Sequence, residues 1–214
     1  MSLPVSRARP PLTIFDYGGG NLKSVSAAFG LLGFETETTS RPSGIAAAER
    51  LVLPGVGAFG DCVRSLRKTG ADTALREFIA SGRPYLGICV GLQVLFDRSE
   101  ESPGEAGLGV FSGGVVRFEP SGGLKVPHMG WNRLALRGGS PLFSGIENGS
   151  WFYFAHSFHA SADRGPVAAT ARHGTEFTAA VSGGNVFACQ FHPEKSSDAG
   201  LRVMKNFALF QPEG

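Results

Sequence analysis

Arg83-Pro84-Tyr85-Leu86-Gly87-Ile88-Cys89-Val90-Gly91-Leu92-Gln93-Val94-Leu95-Phe96 carries, in order, a short apolar strand after a proline, a corner, and the apolar content of a helix's first turns. Cys89 stands at the corner, with Gly87 and Gly91 two residues to either side. In a glycine-x-nucleophile-x-glycine elbow the nucleophile sits in a strained backbone conformation, and small neighbours let strand and helix approach closely. The stretch therefore predicts the end of a strand in an α/β fold, with Cys89 as nucleophile. The positive end of the following helix also favours a thiolate. A lone cysteine before a glycine is ordinarily a small buried hydrophobe, so this assignment depends on what else the chain supplies.

It supplies a base and an acid. Asn185-Val186-Phe187-Ala188-Cys189-Gln190 reads as an apolar strand that runs into Phe191-His192-Pro193-Glu194. Pro193 fixes the turn, so that His192 and Glu194 can point the same way, the carboxylate on one ring nitrogen and the other nitrogen toward sulfur. Upstream, Leu51-Val52-Leu53 is a buried strand that ends in Pro54-Gly55-Val56-Gly57. Glycines there let backbone N–H groups turn toward a site, which makes Val56 and Gly57 candidate oxyanion donors together with Val90. The low steric cost of turning a glycine peptide also makes this loop a candidate hinge.

Around these segments strands and helices alternate through the first half, the pattern of a parallel sheet. Strands are expected at 12–16, 34–38 and 51–53, and helices at 22–32, closed by Gly33, and at 61–80. Beyond Glu101 the chain changes to short glycine-rich β segments, with antiparallel pairing expected around 115–118 and 131–136. Strands at 167–172, 177–181 and 186–191 follow. A last helix at 198–210 is expected to pack Leu201, Met204, Phe207 and Leu209 or Phe210 onto the sheet. Ligand sites in open α/β sheets gather at the carboxyl ends of parallel strands, so the loop at Gly55-Val56-Gly57, Cys89 and His192 should converge.

At 214 residues the chain has the size of one ordinary domain, read as 12–214 behind a disordered leader at 1–11. A net charge of +2 with 18% charged residues gives no basis for binding nucleic acid or an anionic membrane. Three cysteines without paired spacing, Cys62, Cys89 and Cys189, point to a reducing compartment, the cytoplasm. No apolar run approaches a membrane span.

The order of the three segments resembles the class I glutamine amidotransferases, whose glutaminase domains use a Cys-His-Glu triad on a flavodoxin-like, mostly parallel sheet with flanking helices and extra antiparallel strands in the second half. Lys125-Val126-Pro127-His128-Met129-Gly130-Trp131-Asn132, Tyr153-Phe154-Ala155-His156-Ser157, Tyr17-Gly18-Gly19-Gly20-Asn21-Leu22 and His192-Pro193-Glu194-Lys195-Ser196 look like the glutaminase subunits of imidazole glycerol phosphate synthases, a branch of that family active in histidine biosynthesis. The resemblance implies that Gln93, Glu101 and Ser157 hold glutamine. It implies a heterodimer with a (β/α)₈-barrel cyclase subunit, with Asn21, Met129, Trp131 and Lys195 facing the partner. It calls for no cofactor and no metal. Phe158 departs from the family pattern, where an aromatic with a hydroxyl is common.

Other readings stand beside these. His156 and His159 are three apart, as metal ligands can be, but lack a third ligand in an aromatic stretch, so packing is expected. His128 and His173 are given no catalytic role. Gly18-Gly19-Gly20 lacks the Lys-Ser/Thr of a phosphate loop and reads as a turn. Lys195 also reads as an ordinary solvated lysine. The rival functions are a glutaminase serving another synthase, such as pyridoxal phosphate synthase, a cysteine hydrolase of the same fold, and a binding-only subunit.

Overall fold

The structure, a computed structural model, describes residues 11–119, 124–162 and 165–212, and for Ala162 the backbone alone. The leader expected at 1–11 lies outside them except for Pro11.

The first half alternates as its pattern predicts: β1 (Leu12–Phe15), α1 (Leu22–Leu31), β2 (Thr36–Thr39), α2 (Pro42–Ala47), β3 (Leu51–Gly55), α3 (Phe59–Thr69), α4 (Ala71–Ala80), β4 (Tyr85–Cys89) and the one-turn α5 (Val90–Gln93). The single helix expected at 61–80 is two, because Gly70 adopts φ +75°, closing α3 and opening α4. Apolar spacing runs on across Gly70, so periodicity alone does not show the break. Helix α2 was not foreseen; Pro42 opens it and Ile45 is its buried residue. The second half contributes β5 (Phe96–Ser99), β6 (Phe111–Arg117), β7 (His128–Arg133), β8 (Ala135–Leu136), β9 (Trp151–His156), β10 (Phe158–Ala162), β11 (Val167–His173), β12 (Thr175–Gly183), β13 (Val186–Cys189) and α6 (Ser197–Leu209).

One sheet has the order β2-β1-β3-β4-β13-β12-β10-β6-β5. Its first five strands are parallel, and β12, β10 and β6 continue it antiparallel. Strands β1, β3, β4 and β13 are buried along their whole length, as strands covered on both faces must be. Helix α1 packs with α6, while α4 packs with α2 and α3. On α6 the buried side chains are Val203, Met204, Phe207 and Ala208. Leu201 and Phe210 are partly buried against the core, and Leu209 is exposed.

Both segments expected to pair antiparallel do so, with partners that spacing could not name. Strand β6 pairs with β10, whereas β7 leaves the main sheet and forms a two-stranded ribbon with β9. Along β7 the burial alternates, so Met129 and Trp131 face outward, 65% and 50% exposed, while His128 points in.

Candidate active site

Strands β3, β4 and β13 lie side by side with their carboxyl ends level, Gly55 opposite Cys89 and Cys189 opposite Ile88. This register brings the three chemistry-bearing corners together. Cys89 has φ 54° and ψ −107°; among the described residues it and Ser197 are the non-glycines with positive φ. Such a conformation costs about 1–3 kcal/mol and persists only where its surroundings overdetermine it. They do. A Cβ on Gly87 would land on the Gly91 carbonyl, and one on Gly91 on the Leu53 carbonyl, both inside van der Waals contact. The buried Tyr85 hydroxyl donates to the same Gly91 carbonyl at 3.0 Å. Helix α5 has four residues, too few for a sizeable dipole.

His192 leaves β13 with its backbone held twice. Its N–H donates to the Tyr153 carbonyl at 2.9 Å, and its carbonyl accepts from the Ser196 hydroxyl at 2.6 Å. The turn at Pro193–Lys195 then brings Glu194 Oε1 to 3.0 Å from His192 Nδ1, with the two side chains 0% and 4% exposed. Because Nδ1 faces the carboxylate, Nε2 is left for the thiol. Burial by itself lowers the pKa of His192, but hydrogen bonds to Cys89 and Glu194 outweigh it and raise the value to about 9. The imidazolium is the favoured form at neutral pH.

A cavity of about 250 Å³ opens above Cys89 and His192. The residues expected to receive the oxyanion, Val56, Gly57 and Val90, line it, as do the expected substrate contacts Gln93, Glu101 and Ser157. The Gln93 amide spends its donors on the Phe158 carbonyl (3.0 Å) and Gln190 Oε1 (3.1 Å). Glu101 Oε2 accepts from the Phe59 N–H at 2.7 Å, which ties it to the start of α3.

Of the four partner-facing candidates, Met129 and Trp131 share the outer face of β7, and Trp131 meets the Tyr153 ring edge-on at 6.2 Å. Lys195 lines the cavity mouth, its Nζ 5.9 Å from the Tyr153 ring centre. Asn21 stands elsewhere: its amide donates to Glu194 Oε1 at 3.3 Å, so it touches the acid of the triad.

Sequence reading missed two contributors. Gln190 donates to Cys89 Sγ at 3.6 Å, and Tyr17 bonds the oxyanion loop. Gln190 had a signal, a polar residue closing an apolar strand just before the His-Pro-Glu turn. The histidines away from the triad do pack. His128 Nδ1 and His156 Nε2 are 2.9 Å apart, His156 Nδ1 donates to the Phe158 carbonyl, and rings of His128, His156, His159 and His173 surround Phe118. Among the described residues no group of three or more His, Cys, Asp or Glu is arranged to hold a metal ion.

The model of the family "Glutamine amidotransferase class-I" matches residues 13–210. The chain belongs to this family. It is 52% identical over 199 residues to the "Imidazole glycerol phosphate synthase subunit HisH" of Rhodopirellula baltica, covering 92% of this chain and 96% of that protein. It is 49% identical over 204 residues to the protein of the same name from Geobacter metallireducens, covering 92% and 97%. A solved glutamine amidotransferase superposes with a TM-score of 0.73 over 94% of this chain and 100% of its own, at 20% identity, a likeness of fold alone. The α/β architecture with a parallel core and antiparallel additions is thus that of the family, and a glutaminase activity comes with membership.

Proposed function

We propose that this chain is the glutaminase subunit of an imidazole glycerol phosphate synthase, and that it delivers ammonia to a cyclase subunit in histidine biosynthesis. The observation that carries the proposal is a buried His192–Glu194 pair set against a thiol on a strained elbow, in a chain about half identical to proteins bearing that name.

In this reading the Cys89 thiolate attacks the side-chain amide carbon of glutamine, and the amide oxygen takes up negative charge facing backbone N–H groups of Val90 and the Val56-Gly57 loop. The His192 imidazolium protonates the departing nitrogen, leaving ammonia and a glutamyl thioester. Neutral His192 then takes a proton from water, hydroxide attacks the thioester, and glutamate departs as the thiolate is regenerated. Glu194 holds the ring in one orientation throughout, and Gln190 steadies the sulfur. Gln93 and Glu101 help hold the substrate in the cavity, and Ser157 contacts its backbone end.

Ammonia is useful only if it reaches an acceptor before solvent takes it, which argues for a partner seated over the site. The exposed Met129 and Trp131 suit an interface core, while Lys195 lines the cavity and Asn21 reaches Glu194. The partner is a (β/α)₈-barrel cyclase, the assembly a heterodimer, and its compartment the cytoplasm. Among the described residues no helix is long and apolar enough to cross a membrane.

The test is glutamate release from glutamine by the purified chain, alone and with a cyclase subunit carrying its nucleotide ligand. Strong stimulation by the cyclase that Cys89→Ala abolishes, by about 10⁴-fold or more, is the expected result. Full activity without response to the cyclase would assign the chain to another synthase, and cleavage of peptides would assign it to the hydrolases.

A further inference from the structure

The oxyanion loop is not free to receive charge as it stands. The Val56 N–H, one of its expected donors, gives its hydrogen to the Tyr17 hydroxyl at 3.1 Å, and that hydroxyl in turn donates to the Val56 carbonyl, also at 3.1 Å. One phenol thus grips two successive peptide units. Both units are trans, so N–H and C=O in each point to opposite sides. The grip therefore turns the Gly55 carbonyl and the Gly57 N–H away from Tyr17. Presenting the Val56 N–H to the cavity means rotating the Gly55–Val56 peptide and breaking this bond.

The surroundings restrict that motion at one end and permit it at the other. At Gly55 a Cβ would meet Val90 Cβ at 2.7 Å and the Tyr17 hydroxyl at 3.1 Å, so the strand end is wedged between elbow and phenol. At Gly57, φ is +97° and a Cβ would meet nothing within 4 Å, while Val56 is 44% exposed. Tyr17 itself is anchored, since its carbonyl accepts from the Ser65 hydroxyl and its ring packs on the core. Burial pushes its phenol above the ordinary range, so it stays a donor.

We propose that the Tyr17 hydroxyl is a latch that holds the oxyanion loop in a resting arrangement, with the Val56 N–H taken by the phenol instead of offered to the substrate. This rests on the reading of the chain as a partner-stimulated glutaminase. Loss of a single oxyanion donor slows related chemistry by about 10²–10³-fold, so a latched loop keeps the unpartnered chain slow. Binding of the partner has only to outweigh one phenol.

The experiment is Tyr17→Phe, which keeps the ring and removes the grip, with kcat and KM for glutamate release measured alone and with the cyclase and its nucleotide ligand. The latch predicts that unpartnered kcat rises by about fivefold to a hundredfold, what the two hydrogen bonds of the grip are worth together. KM and the stimulated rate stay near wild type, so the stimulation factor falls by as much. An unchanged unpartnered kcat, or a parallel drop with and without the cyclase, overturns the latch and makes Tyr17 a plain buttress. Full stimulated activity is the folding control, and Tyr17→Leu repeats the test if the phenylalanine variant does not fold; loss of stimulated activity in both variants also overturns it. Wild type that fails to respond to the cyclase overturns the coupled reading itself, a result separate from any behaviour of the variants.

Discussion

Two corners at the ends of neighbouring strands do complementary work and are built in opposite ways. The elbow at Cys89 is packed tightly behind its cavity-facing side: Gly87 against the Gly91 carbonyl, Gly91 against the Leu53 carbonyl, and the Tyr85 hydroxyl on that same Gly91 carbonyl. The loop at Val56 and Gly57, one strand away in register, meets open space and is restrained by one hydroxyl. In the proposed mechanism the nucleophile is thus preorganised, while the group that stabilises charge is adjustable. A site built this way can be switched without moving its thiol.

The rigid half should be the costlier to disturb. Glu194→Gln leaves the shape intact but removes the charge that, after the hydrogen bond to Cys89, does most to hold His192 as imidazolium. Glutamate release in the presence of the cyclase is expected to fall by about 10²–10⁴-fold. A group whose pKa is raised from 6.5 to about 9 keeps its proton below that range and loses it as pH rises through 9. The wild-type rate should therefore have an alkaline limb near pH 9, and Glu194→Gln should shift that limb to lower pH. By linkage, the stability contributed by this pair is present below about pH 6.5 and lost as pH rises through 9. An unmoved limb in the variant would mean that the carboxylate does not set the state of His192.

Next in size is a pair of alanine substitutions that reads the comparison directly. Gly91→Ala forces a methyl into the Leu53 carbonyl and should cost about 3 kcal/mol or more. Gly57→Ala meets no atom but strains a left-handed residue and should cost about 1 kcal/mol. For a chain of this size each kcal/mol lowers Tm by about 2–4 °C, so thermal melts resolve the two. Equal losses would remove the distinction between a packed corner and an open one.

The smallest effect lies in the ring cluster around Phe118, where burial lowers the pKa of His128 to about 4 and of His156 to about 3. Such groups contribute stability that is complete above the unfolded value near 6.5 and is lost as pH falls toward the folded values. Tm should drop progressively from pH 6.5 to pH 4, and His128→Gln should flatten that slope. A Tm indifferent to pH in this window would mean that the ring cluster opens to solvent.

Much of this site was legible because its parts are local. Glycines flanking Cys89, a proline between His192 and Glu194, and a buried strand ending at Gly55 each announce a backbone device within a few residues. The fold class followed from alternation of the same kind. What escaped notice depends on register between distant segments. Gln190 reaches Cys89 only because β13 lies beside β4, and Tyr17 reaches Val56 only because β1 lies beside β3. Asn21 was placed facing the partner on the resemblance alone, and nothing in its own neighbourhood announces the carboxylate 173 positions away that it also touches. Gly70 shows the converse, since a single residue ended a helix whose apolar stripe ran on.

The ribbon of β7 and β9 sets Trp131 directly opposite Tyr153, and the Tyr153 carbonyl is what receives the His192 amide. The outward face of the molecule is therefore two links from the proton carrier, and on a different path from the Tyr17 grip. One aromatic contact and one main-chain hydrogen bond thus separate the outer face of the ribbon from the imidazole that the proposed chemistry uses.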